Sequence, residues 1–238
     1  MNIQLKEPLK KQFLFLLTAL FISLPSYATW SIIAVDRTTG HIGIAGASCT
    51  FDVSGIASIV PGKGAIVVQA ASNYFARMKG VDLMVANATV EEILIAMKDE
   101  KFQPEQQQYG IISLSEGTMP LVYSGNEIKD WNGSKTGNNV AVLGNILVDE
   151  NVISSAFKAF NDAKDKPFNE RLILALQAGE KAGGDQRCGS QAARSAFISV
   201  YDPETKAIDK LSVYGLNENG LPAVSLLEKR FKKLVGRN

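Results

Sequence analysis

A run of small residues constrains this chain more than any other feature. Residues 41–48 read HIGIAGAS, an apolar strand in which Gly43, Ala45, Gly46 and Ala47 carry almost no side chain. Something must pack very close against such a strand. It follows a β-rich stretch, TWSIIAV at 29–35, across the turn residues Asp36, Arg37, Thr38, Thr39 and Gly40, so 29–48 is predicted to be a hairpin. A second strand pair is expected at 56–60 and 65–71 around the turn Pro61-Gly62-Lys63-Gly64.

Helical spacing takes over at 74–86, where Met78, Val81, Leu83, Met84 and Val85 carry the apolar signal, and again at 90–98, where Ile93, Leu94 and Met97 form the stripe. Thr89 followed three residues later by Glu92 is the signature of a capping box. Strands are predicted at 109–114, 120–124 and 140–143, with the polar stretch 125–139 between them expected to be a loop. Helices are expected at 151–163 and 167–182, Pro167 suiting a first helical position and Gly183-Gly184 a stop. Strands at 195–201 and 210–214 and a closing helix at 222–235 complete the series. Leu226, Leu227, Phe231 and Leu234 of that helix are expected to dock on the body rather than on a membrane. Strand pairs grouped apart from helices imply an α+β layered domain rather than alternating βαβ units.

The first 28 residues have a different grammar. Lys6, Lys10 and Lys11 precede a 12-residue apolar run at 13–24, and Ser26-Tyr27-Ala28 places small residues at the two positions a signal peptidase inspects. Twelve residues are too few to cross a bilayer as a helix, which takes about 20. The expectation is a signal peptide cleaved after Ala28, a single mature domain over 29–238, and a periplasmic or secreted location with no stable membrane insertion. Removing three lysines and Glu7 takes the formal charge from +1 to −1. A near-neutral chain gives no electrostatic case for a nucleic-acid partner.

Cys49 and Cys188 are the only cysteines. An even pair in an exported chain suggests a disulfide; two separate buried thiols are the alternative. The single histidine, His41, sits in a turn and is expected to be solvated, so no metal site and no cofactor are expected. Its position also excludes a triad that draws a histidine from the core.

Cleavage after Ala28 would leave Thr29 as the first residue, with a hydroxyl and a free α-amine. An α-amine has a pKa near ~8, so part of it is neutral at working pH and able to take the hydroxyl proton. Nucleophile and base are then supplied by one residue, and no core histidine is needed.

The segments TWSIIAVD (29–36), GASCT (46–50), VPGKGAIVVQA (60–70), GNIL (144–147), ERLILALQAGEKAGGD (170–185) and RCGSQAARSAFISV (187–200) occur in this order. Together they resemble the DUF1028 family, which is assigned to the Ntn-hydrolase-like superfamily, over nearly all of 29–238. The resemblance implies a four-layer αββα sandwich and a leading threonine at the position of Thr29. It carries no established reaction. Proteasome-type relatives also place a lysine on a strand beside the nucleophile. The comparable stretch 54–60 has none, and Lys63 lies in the neighbouring turn.

The candidate site is therefore Thr29 as nucleophile and amine base, with Asn145 and Asn73 as oxyanion donors. Ser48, Gln69, Lys63, Asp185 and Arg187 are the candidates for binding substrate. The expected activity is hydrolysis of a small amide or peptide-like substrate by an exported enzyme, with a homo-oligomer left open. The alternative is a non-catalytic periplasmic or envelope binding protein on the same fold.

Overall fold

Strand β1 (Thr29–Asp36) shows how the molecule is layered. Successive side chains of a strand point to opposite faces. Trp30, Ile32 and Ala34 enter one apolar cluster and Ile33 and Val35 another. A strand greasy on both faces must be covered on both, and every residue from Thr29 to Val35 is buried. The computed structural model describes residues 28–128 and 130–236. The expected signal peptide, apart from Ala28, lies outside the described residues.

β1 turns into β2 (His41–Ser48), with Thr29 opposite Ser48 and Asp36 opposite His41. A short 3-10 turn leads to β3 (Ala57–Val60) and β4 (Gly64–Ala70). Helices α1 (Tyr74–Val85) and α2 (Val90–Met97) follow, then strands β5 (Gln107–Ser113), β6 (Leu121–Ser124), β7 (Asn132–Gly137) and β8 (Val140–Asn145). The chain continues through α3 (Asn151–Asp162), α4 (Phe168–Lys181), β9 (Ser195–Asp202), β10 (Ala207–Val213) and α5 (Ala223–Val235).

The result is a mixed α+β fold with two antiparallel sheets. One has six strands in the order β10-β9-β2-β1-β8-β7, the other four in the order β3-β4-β5-β6. Helices α3, α4 and α5 cover one face of the larger sheet, where Phe160, Leu172, Leu176 and Leu227 meet Trp30 and Ile32. Between the sheets lie Ile33, Val35, Ile42, Ile44, Val67, Ile112 and Leu143. On the far side of the smaller sheet, Ile66, Val68 and Ile111 pack under Ala76, Met84, Ile93 and Met97 of α1 and α2.

The small residues of β2 have the close neighbour that their size demands. A Cβ at position 43 would lie 2.4 Å from Leu172 Cδ1 and 2.7 Å from Phe168 Cε1 of α4. In the same layer a Cβ on Gly179 of α4 would lie 2.5 Å from Trp30 Nε1. Glycine at both positions lets helix and sheet approach by the width of a methyl group. The capping box is also present: Thr89 N donates to Glu92 Oε2 at 2.8 Å, and Glu92 N to Thr89 Oγ1 at 3.2 Å.

Two expectations need correction. The stretch 125–139 is not wholly a loop, because Asn132–Gly137 forms edge strand β7 against β8. Its polar sequence, NGSKTG, hid it; an edge strand facing solvent needs backbone partners but not apolar side chains. Prolines 167 and 222 also lie one position earlier than expected, as the residues capping α4 and α5 rather than inside them. Among the described residues no helix is long and apolar enough to cross a membrane.

Candidate active site

Antiparallel register places a row of polar residues across one end of the larger sheet. Thr29 is opposite Ser48 on one side and Asn145 on the other, and Ser48 is opposite Ser195. All four are completely buried. Thr29 Oγ1 has no hydrogen-bond partner among the described residues. A buried hydroxyl without a partner costs roughly 1–3 kcal/mol, so native folds keep few of them, and those that remain need an explanation.

Behind this row, between the sheets, runs a chain of amides. Ser31 Oγ donates to Gln69 Oε1 at 2.7 Å. Gln69 Nε2 donates to Gln108 Oε1 at 2.7 Å and reaches Thr29 O and Asn145 Oδ1 at 3.3 Å each. Gln108 Nε2 in turn donates to Ser124 Oγ at 2.8 Å and to Gly144 O at 3.1 Å. Since Gln69 occupies the Asn145 oxygen, the nitrogen is the end of that amide with which Asn145 donates.

A third group closes the row from the side. Asp185 is fully buried and accepts hydrogen bonds from Cys49 N at 2.6 Å and Arg187 N at 3.0 Å. Its two oxygens take Arg187 Nε at 3.1 Å and Nη2 at 2.8 Å, a fork-to-fork ion pair. Arg187 Nη2 also donates to Ala28 O at 3.3 Å, and Ser48 Oγ donates to the same oxygen. The Cys49–Cys188 disulfide is formed, with Cα atoms 5.6 Å apart, and it joins the residue after Ser48 to the residue after Arg187.

Two of the left-handed residues adjoin this row. Ala70, directly after Gln69, has φ of 65°, and Ile146, directly after Asn145, has φ of 52°. Left-handed backbone is unusual for alanine and an outlier for a β-branched residue, at a cost of about 1–3 kcal/mol each. Packing here overrides local preference at the two residues that turn the chain away from the site.

Five of the expected residues thus surround Thr29: Ser48, Gln69, Asn145, Asp185 and Arg187. Two do not. Lys63 sits beyond the opposite end of β4 from Gln69, hydrogen-bonded to Asn87 Oδ1. Asn73 caps α1: its oxygen accepts from Phe75 N and Ala76 N, and its nitrogen donates to Phe102 O at 3.2 Å. Gln108 was not anticipated. The paired glutamines 107 and 108 before an apolar run read as lying outside the strand, whereas both are buried inside β5. Among the described residues no group of three or more His, Cys, Asp or Glu is placed to hold a metal ion.

The family model described as "Family of unknown function (DUF1028)" matches residues 29–221, so the match begins at Thr29. Among solved structures, the chain is similar to the crystal structure of protein SPO2555 from Silicibacter pomeroyi, which carries the same family label. The two share 25% identity with a TM-score of 0.73, over 87% of this chain and 89% of that one. No curated protein matches the sequence.

Proposed function

The chain belongs to the DUF1028 family, whose function is unknown, and from that premise we propose that it is an exported N-terminal-nucleophile hydrolase cleaving an amide bond through Thr29. The observation that carries this reading is the buried Thr29 hydroxyl, which has no hydrogen-bond partner among the described residues and stands at the first residue of the family match. The helix–sheet–sheet–helix packing supports assignment to the four-layer αββα sandwiches of Ntn-hydrolase-like proteins. Cleavage after Ala28 in the periplasm or on secretion would add the α-amine that the hydroxyl lacks as a base.

In this mechanism the Thr29 amine takes the proton from Oγ1 as the oxygen attacks the substrate carbonyl carbon. The tetrahedral oxyanion is held by donors at the site, Asn145 among them. As the C–N bond breaks, the proton passes from the ammonium to the departing nitrogen, leaving an ester on Thr29. Water, deprotonated by the same amine, hydrolyses that ester to release a carboxylic acid and restore the hydroxyl. Lys63, in the turn after the stretch where proteasome-type relatives carry their lysine, lies beyond the far end of β4 from Gln69, and the base in this mechanism is the α-amine.

Intact mass of the exported protein, before and after treatment with a β-lactone, tests the reading. The expected result is a chain beginning at Thr29 that gains one lactone adduct on that residue, and a Thr29→Ala variant that gains none. A chain beginning elsewhere, or one that takes up no adduct, would overturn it in favour of a binding protein on the same frame.

A further inference from the structure

We infer that Ser48 and Arg187 form the receptor for the acyl oxygen of the ligand, so that the site takes carboxylic acid derivatives by their carbonyl end and retains the carboxylic acid product. The inference rests on the reading that Ala28 is removed, and it specifies what then occupies the site.

The oxygen of Ala28 is held by two side chains, the Ser48 hydroxyl and the Arg187 guanidinium. The support beneath these donors is extensive. Arg187 is locked in a fork by Asp185, which is fully buried and is itself fixed by the backbone of Cys49 and of Arg187. A disulfide then fastens Cys49, next to Ser48, to Cys188, next to Arg187. A buried carboxylate, a forked ion pair and a covalent staple converge on one peptide carbonyl. In the mature chain that carbonyl would be gone while both donors remain.

The position is also the right one for chemistry. The Ala28 carbonyl carbon is bonded to the Thr29 nitrogen, and Thr29 Oγ1 is separated from that nitrogen only by Cα and Cβ. A carbonyl at this place is within the reach of one threonine's hydroxyl and amine. Donors that hold a ground-state carbonyl here also face the oxygen on which negative charge develops during attack. Because Asp185 already balances the charge of Arg187 and takes its Nε–Nη2 fork, the guanidinium acts through Nη2 as a directed donor to the acyl oxygen, carbonyl or carboxylate alike.

The test uses the exported protein, its first residue read by intact mass, and the free tripeptide Ser-Tyr-Ala, the sequence of residues 26–28. Binding is followed by NMR titration. The native protein should bind the tripeptide through its C-terminal carboxylate, and the tripeptide amide more weakly. Ser48→Ala should weaken binding by about 10-fold and Arg187→Gln by roughly 10–100-fold, the worth of one neutral and one charge-assisted hydrogen bond. Should Arg187→Gln fail to fold with Asp185 left without its counter-ion, Ser48→Ala alone decides. Absence of binding, or binding unaffected by Ser48→Ala, overturns the receptor. A chain that retains Ala28 overturns both this inference and the hydrolase reading. Tripeptide binding that follows the variants, without a lactone adduct on Thr29, leaves the receptor standing and removes only the nucleophile.

Discussion

The two ends of β1 lie about 24 Å apart, as eight residues in an extended strand require, and they solve opposite problems. At the Asp36 end the space between the sheets is filled by Val35, Ile42 and Ile44, and among the described residues no buried polar side chain interrupts them. Beside that end a cavity of about 780 Å³ opens between α4, α5 and the sheet, lined by Asp36, His41, Phe168, Asp202 and Phe231 among others. At the Thr29 end the corresponding layer is made of Ser31, Gln69, Gln108 and Asn145, every one buried, with a disulfide across the rim. The roomier end has ordinary chemistry. His41 there packs 5.9 Å from the Phe168 ring, with Asp202 4.0 Å from its Nε2. The crowded end holds the orphan hydroxyl, the left-handed Ala70 and Ile146 and the forked ion pair. Cavity size and buried polar groups that cost stability point to opposite ends of the strand, and the proposed site rests on the second.

This contrast is broken most severely by removing the covalent staple. Reducing the disulfide, or replacing both cysteines with serine, opens a loop with a sequence separation of 139, for an expected loss of about 3–5 kcal/mol in urea unfolding. Tripeptide binding should fall with it, because Ser48 and Arg187 lose their common anchor. A loss below about 1 kcal/mol would mean that the Asp185 network holds the rim without covalent help.

Ile33→Ala tests the apolar half of the same interior. Ile33 is fully buried between the sheets, and truncation should cost about 2–5 kcal/mol while leaving the lactone reaction at Thr29 within a few-fold of native. Gln69→Leu tests the polar half. It keeps the volume but takes the partner from Ser31 and one partner each from Gln108 and Asn145. The expected cost is about 1–3 kcal/mol, accompanied by a marked loss of lactone labelling, since Asn145 loses the contact that Gln69 makes to its oxygen. If Ile33→Ala depressed labelling as much as Gln69→Leu, the two halves would be one mechanical unit and the contrast would fail.

How far these ends were legible in the sequence follows from the same physics. The hairpin of β1 and β2 was readable because its alternation is apolar on both faces, and the small residues of β2 implied a close neighbour without saying that it would be α4. The pairing of Cys49 with Cys188 could be suggested, while the distance between them could not. Strand β7 and the first residues of β5 were hidden for related reasons. Residues 132–137 lie on a largely exposed edge, and Gln107 and Gln108 bury polar side chains whose amide nitrogens donate internally, so neither stretch shows the apolar period that marks a strand. Lys63 looked eligible because its turn adjoins the stretch 54–60, where proteasome-type relatives carry a lysine, and leads into the strand that holds Gln69. Antiparallel geometry put the length of β4 between them, a separation that depends on register and not on composition.

The smallest expected change in stability is also the most informative about function. Thr29→Val keeps the β-branched shape and replaces a hydroxyl that has no partner among the described residues with a methyl group. Replacing a hydrogen-bonded buried threonine in this way should destabilise by about 1 kcal/mol or more. An orphan hydroxyl has no bond to lose, so the variant should unfold within about 0.5 kcal/mol of native, or slightly later. Its lactone labelling should vanish. Together these results would show a residue whose polar group serves reaction rather than folding, the trade expected where activity is retained at the expense of stability. A clear destabilisation would instead mean that Oγ1 finds a partner in the mature chain, most simply the new α-amine. Labelling would then still be lost, but the hydroxyl would be an organised base pair member before substrate arrives. A variant that labels as the native protein does would place the nucleophile on another residue, and the polar row at this end of the sheet would be a binding surface only.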